Sequence, residues 1–205
     1  MSPLDTSVRD FLAAVAAPTP SATGGGVSAV TAAAAAGLVV MVARLSASLP
    51  DSDELTAQAE GLRERAMEIA TTDADSYAAV LAAQRRPRED PERAQALREA
   101  LAESAQPPFR LTLLAAEIAD LAADLTARGK PGLRGDAITA ATLAAGAARS
   151  SAVLVRINLS TAGLSLEHAD SADVAADAAA ATAQRCAGTD PTTADLSTER
   201  GVSPG

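Results

Sequence analysis

From Pro18 to Ala43 the chain carries no charged residue, and this stretch limits the folds open to it more than any other. Pro18 and Pro20 open it, Gly24, Gly25 and Gly26 follow, and the remainder to Leu45 is mostly Ala, Val, Ser and Thr. Val27, Val30, Leu38, Met41 and Leu45 fall on one helical stripe, while Ala29, Ala33 and Gly37 form a second, small one. A helix that is apolar all round belongs inside a bundle, and the small stripe lets a neighbouring backbone approach closely. The run is near membrane-spanning length, but Ala, Ser and Thr are weakly hydrophobic, so a buried core helix is expected. The glycines leave backbone amides uncovered at the helix N-terminus, where the dipole favours an anion or a polar ligand edge. Triple glycine is equally the composition of a plain linker, and both readings stand here. No Gly-Lys-Ser/Thr follows and no strand precedes, which excludes a phosphate-binding P-loop and a dinucleotide fingerprint.

The 205 residues suffice for one sizeable core. Hydrophobic content is 48% but aromatic content only 1%, as Phe11, Tyr77 and Phe109. Ala supplies much of the rest and is the strongest helix former. The expectation is an all-α, up-and-down multi-helix bundle with long central Ala-rich helices. One helical domain over 1–187 precedes a tail, 188–205, whose Thr, Asp, Pro and Gly content predicts disorder. A net charge of −9 argues against nucleic acid and anionic membranes as partners. MSPLDTSVRD lacks the basic-then-apolar pattern of a signal peptide, and the lone Cys186 excludes an internal disulfide. Both point to a cytoplasmic location. One His and one Cys do not make a zinc site of the usual type, so no metal is expected. A nucleophile triad would have to use His168, near the chain end in a polar stretch.

Periodicity predicts a first helix capped by Asp5 or Thr6 with Val8, Phe11, Leu12 and Val15 on one face. The central helix follows, and a third begins at Asp51 or Ser52 and runs to about Arg85. That third helix is the most informative. Its inward seam reads Leu55, Ala59, Leu62, Ala66, Ile69, Asp73, Tyr77, Val80, in steps of three or four. Asp73 stands where the pattern asks for an apolar side chain, and a carboxylate there is costly to bury unless it is paired or functional. Asp75 falls off the seam and is expected in solvent. Asp73 bonding a neighbouring helix, with no chemical role, explains the pattern equally well. Asp90-Pro91 predicts the start of a fourth helix, ended by Pro107-Pro108. A fifth runs from about Phe109 to Ala127, and a turn-rich loop follows through Gly129, Gly132 and Gly135. Asp136 caps a sixth helix reaching Asn158, a polar residue in apolar company, and an Ala-rich seventh covers about Ser165 to Cys186.

In this order and spacing the pieces resemble the cyclodeaminase/cyclohydrolase family, which comprises the C-terminal domain of formiminotransferase-cyclodeaminase and stand-alone methenyltetrahydrofolate cyclohydrolases. The resemblance covers about residues 8–187. It rests on the Pro20–Gly26 loop with Met41 and Leu45 beyond it, and on Asp73, Tyr77 and Pro87. Further along it continues through Pro108, Gly129, Asp136 and Ile157-Asn158. It implies an all-α fold that dimerises, a reduced-folate substrate and Asp73 as the catalytic acid/base. It also implies Gly24, Gly25, Gly26, Asp136 and Asn158 around the substrate, with Lys130 or Arg134 on a glutamyl carboxylate. No cofactor is implied beyond the folate itself. Thr23, Val27, Lys130, Gly135 and Leu154 depart from the family pattern, where Pro, Ser, Asn, Ser and Asn are usual.

Three functions follow as expectations. The first is hydrolysis or amine release at a cyclic C–N centre, methenyltetrahydrofolate cyclohydrolase or formiminotetrahydrofolate cyclodeaminase. The second is a ring opening or closure on a non-folate small molecule in specialised metabolism, which the departures favour because lost polar partners change discrimination by orders of magnitude. The third is a non-catalytic helical homodimer or ligand-binding protein.

Overall fold

Thr23 starts the central helix: its side chain accepts the Gly26 amide in an N-cap, and Gly24–Leu45 then runs unbroken. The structure is a computed structural model and describes residues 6–18 and 23–188. Among these, seven α-helices follow in chain order: α1 (Val8–Ala16), α2 (Gly24–Leu45), α3 (Ser52–Gln84), α4 (Arg93–Ser104), α5 (Gln106–Arg128), α6 (Arg134–Ala162) and α7 (Glu167–Gly188). One 3₁₀ turn, Pro131–Leu133, leads into α6, and the described residues contain no strand. The all-α bundle read from the sequence is the observed fold. Of the anticipated tail at 188–205, Gly188 is the last residue of α7, and the rest, like the Asp5 cap, lies outside the described residues.

α2 packs against α3 and α6, α5 against α6 and α7, and α4 bridges α3 and α6. The reason they pack so closely is compositional. Few large side chains are fully buried (Leu62, Leu111, Ile118 and Leu125 among them), while Ala32, Ala36, Ala140, Ala144 and Ala148 are wholly enclosed. Methyl-sized side chains bury little area each, so dispersion between close backbones must supply what bulk does not. Exposed ion pairs lace the outside: Arg128 joins Asp51 and Asp124, and Arg156 joins Asp170 and Asp173. Such pairs contribute little individually.

Four details differ from the sequence reading. On α2 the large stripe does not face the core: Val27, Val30, Leu38 and Met41 are half-buried and Leu45 is exposed, while Ala29, Ala32, Ala35, Ala36, Val39 and Ala43 point inward. With every face apolar, size biased the orientation: the inward side is mostly Ala, with Val39 and Val42 its bulkiest members. Pro107 and Pro108 do not end α4; they sit in the first turn of α5, where missing amides cost nothing. α4 begins at Arg93 instead of at Pro91, with Asp90 Oδ1 accepting the Glu92 amide just ahead of it. Asp136 lies in the first turn of α6 and is not its cap. α2 and the segment Pro131–Ala162 are long and apolar enough to cross a membrane, yet half or slightly more of each lies inside the bundle.

Overpacking a helix contact tests this account. Ala144→Leu should destabilise the fold by about 1–3 kcal/mol in urea unfolding, whereas Ala178→Leu, on the exposed side of α7, should change it little.

Candidate functional site

Asp73 keeps its place on the α3 seam. It is 6% exposed, flanked along that face by buried Ile69 and Val80, while Asp75 is in solvent. The start of α2 is built around it. Thr23 Oγ1 donates to Asp73 Oδ2 and at the same time accepts the Gly26 amide at 3.1 Å. The Gly26 amide also stabilises the carboxylate, and Gly25 lies flat against it. A Cβ on Gly25 would stand 2.6 Å from Asp73 Oδ2 and closer still to Cγ and Oδ1. The glycine is therefore required by contact with a side chain from another helix, and the linker reading of the loop falls away.

Burial pushes the Asp73 carboxyl above its ordinary value, and the Thr23 and Gly26 bonds pull part of the way back. A buried carboxyl whose charged form is disfavoured in this way holds a proton more readily than one in solvent.

The carboxyl faces a cavity of about 310 Å³ lined by Thr23, Gly24, Gly25, Asp73, Tyr77, Ser104, Pro108, Leu154 and Asn158. Asn158 Nδ2 donates to the Ser104 carbonyl at 2.9 Å, which ties α6 to the end of α4 and leaves the Asn158 Oδ1 acceptor outside that bond. Pro108 and Leu154 give the cavity an apolar wall beside its polar one. Among the described residues of the lining, Asp73 is the only acidic or basic side chain. A second groove, between α1, α2 and α6, shares Thr23 and Gly24 with the cavity and continues past Val27, Ser28 and Ser150. Ser28 and Ser150 hydroxyls bond across it at 2.7 Å.

Of the eight residues singled out in the sequence, the structure gathers Asp73, Gly24, Gly25, Gly26 and Asn158. It does not bring Lys130, Arg134 and Asp136 to them within one chain. The Lys130 amide donates to Ser46 Oγ, at the far end of α2 from Gly24. That end is about 30 Å away at 1.5 Å per helical residue. Arg134 reaches the Thr126 carbonyl, and Asp136 is one α6 length from Asn158. Val27 belongs to the second groove, and Leu154 alone of the apolar departures lines the cavity. Sequence reasoning missed Thr23 as a partner of Asp73, although a Thr directly before three glycines is an N-cap signal. Ser104 had no such signal; only the α4–α6 contact reveals it.

Comparison with known proteins followed the same lines. The model of the formiminotransferase-cyclodeaminase family matches residues 7–165. Among solved structures, the formiminotetrahydrofolate cyclodeaminase from Thermotoga maritima superposes with a TM-score of 0.76 at 22% identity, covering 88% of this chain and 95% of that one. At that identity the likeness carries the fold. No curated protein sequence matches the chain.

Two outcomes follow from the geometry. Gly25→Ala should displace the Asp73 carboxyl and lower turnover at least about a hundredfold, with circular dichroism confirming an intact bundle. Asp73→Asn should unfold at a higher urea concentration than wild type at pH 7. Because the folded-state pKa is raised, wild type is most stable below the unfolded value and loses stability as pH rises through the folded pKa, where burying the charged form becomes costly. The advantage of Asn should therefore shrink as the pH is lowered; an advantage that grows would contradict the burial argument.

Proposed function

The chain belongs to the formiminotransferase-cyclodeaminase family, and from that premise we propose that the Asp73 cavity is an active site for ring opening at a cyclic C–N centre of a small molecule. Methenyltetrahydrofolate hydrolysis is the first candidate and formiminotetrahydrofolate deamination the second. The observation that carries this reading is the buried Asp73 carboxyl, raised in pKa, at the wall of a cavity.

In the hydrolytic version the substrate is an amidinium cation. Ionised Asp73 stabilises that cation on binding, then takes a proton from the water that attacks the bridging carbon. A C–O bond forms, the C–N bond of the tetrahedral adduct breaks as its hydroxyl becomes the formyl carbonyl, Asp73 returns a proton to the departing nitrogen, and the hydroxyl proton leaves to solvent. Thr23 holds the carboxyl oriented throughout, with Gly25 leaving room for it. Asn158 Oδ1 and the Tyr77 hydroxyl are available to ring N–H groups, and Pro108 with Leu154 packs the ring face. The reaction is hydrolytic and redox-neutral, so it calls for no electron carrier.

A second reading is favoured by one residue. Leu154 places an apolar wall where the resemblance has an amide, which suits a less polar ring than a pterin and a substrate from specialised metabolism.

Loss of methenyltetrahydrofolate absorbance separates the two. Under the first reading wild type is active and Asp73→Asn loses at least about a hundredfold. Under the second, wild type is inactive and Leu154→Asn gains roughly tenfold, the scale of one hydrogen bond. Near-wild-type turnover by Asp73→Asn would show the carboxyl to be structural.

A further inference from the structure

The residue four places after Ser104 leaves the Ser104 carbonyl open. In a continuous helix that carbonyl would accept the amide of residue 108, but Pro108 has none to give. The next carbonyl along, on Ala105, does find its amide, from Phe109 at 3.2 Å. Asn158 fills the gap from α6, its Nδ2 donating to the Ser104 carbonyl at 2.9 Å. A carbonyl only accepts, so this bond fixes which way the Asn158 amide is turned, with Nδ2 on Ser104 and Oδ1 directed elsewhere. The same Nδ2 donates to the Ser104 hydroxyl oxygen in a longer contact of 3.4 Å. That hydroxyl is therefore an acceptor toward Asn158, and its own proton points away from it. Ser104 is 6% exposed, yet among the described residues nothing accepts that proton. The buried hydroxyls of Thr112 and Thr126 on α5 turn back to carbonyls of Pro108 and Ala122, four residues earlier; Ser104 makes no such bond. Nor does any described residue donate to Asn158 Oδ1.

We propose that Ser104 and Asn158 work as one donor–acceptor pair that reads a cis-amide edge of the substrate, the neighbouring N–H and C=O of a lactam or cyclic ureide. The ligand N–H donates to Asn158 Oδ1, and the ligand carbonyl accepts the Ser104 hydroxyl proton. Ser104 thereby becomes a specificity-determining residue of the ring opening at Asp73. This rests on the reading of that cavity as the active site.

Three observations select this ligand chemistry. First, both residues line the Asp73 cavity, so the unused donor and the unused acceptor meet the same ligand. Second, their spacing suits one planar edge. Oδ1 and Nδ2 of an amide are about 2.3 Å apart, which keeps Asn158 Oδ1 within about 6 Å of the Ser104 hydroxyl oxygen. The N and O of a cis-amide are as close to each other, and two hydrogen bonds leaving them reach both partners. An edge with two donors would leave the Ser104 proton buried without an acceptor, and one with two acceptors would set a lone pair against Oδ1. Each mismatch strands a buried polar group, the circumstance in which a site discriminates most strongly. Third, the space is small. A cavity of about 310 Å³ admits one or two rings, and Pro108 with Leu154 gives the ring face an apolar wall while its edge is read by the polar pair.

The test is a binding measurement that needs no turnover. The probe is carbostyril, a two-ring lactam stable in water, and its control is N-methylcarbostyril, in which a methyl group replaces the N–H of the same edge. Ligand-observed NMR titration of the full-length protein gives a Kd for each. Wild type should bind carbostyril at least about tenfold more tightly than the methylated control. Ser104→Ala keeps the backbone carbonyl, and with it the Asn158 tie, and removes only the hydroxyl. It should lose roughly tenfold in affinity for carbostyril and nothing for N-methylcarbostyril. Equal affinity of wild type for the two lactams overturns the proposal, and so does the absence of carbostyril binding up to its solubility limit. A Ser104→Ala variant that binds both as wild type does overturns it as well. Selective lactam binding together with full turnover by Asp73→Asn would leave the pair standing and remove the catalytic reading instead. Turnover that depends on Asp73 in a protein with no lactam preference would do the reverse.

Discussion

The bundle depends on how closely its helices approach one another. Ala140, Ala144 and Ala148 of α6 and Ala32 and Ala36 of α2 are entirely enclosed, and no larger residue fits between backbones at that separation. This constraint fixes the rest. It turns α2 so that its alanine-rich side faces inward and Val27, Val30, Leu38, Met41 and Leu45 lie toward the outside. It also brings the start of α2 against the middle of α3, where Gly25 meets Asp73 with no room for a methyl group.

At that contact the packing rule and the chemistry become one problem. A carboxyl on an apolar seam costs free energy to bury, and two bonds from the α2 N-terminus offset part of that cost. The remainder shows itself as a raised pKa. Stability is thereby given up at one residue, a pattern expected where function and packing compete.

The fold was legible because helix signals are local. Ala content, the periodic seams and the turn residues gave the number and order of helices, and the break in the α3 seam pointed to Asp73 without any partner in view. Boundaries near Pro91, Pro107 and Asp136 were misread because a proline or an acid near a helix start permits several registers. Orientation of α2 was not legible at all, since periodicity says nothing when every face is apolar. The site was legible only in part for a related reason. Ser104 enters it through a contact between α4 and α6, and Lys130 and Asp136 leave it because α6 spans the bundle from end to end.

Thr23 occupies the joint between these levels, and its hydroxyl has two lone pairs and one proton to share. With Asp73 ionised, the hydroxyl gives its proton to the carboxylate and one lone pair to the Gly26 amide. With Asp73 protonated, the second lone pair is free to take the acid's O–H while the cap on Gly26 persists. The contact thus survives in either charge state by reversing its polarity, and α2 need not shift when the carboxyl changes charge. A proline there would offer no such swivel. In this chain the adjustment between the two charge states of Asp73 is rotation about a single bond, Cβ–Oγ of Thr23.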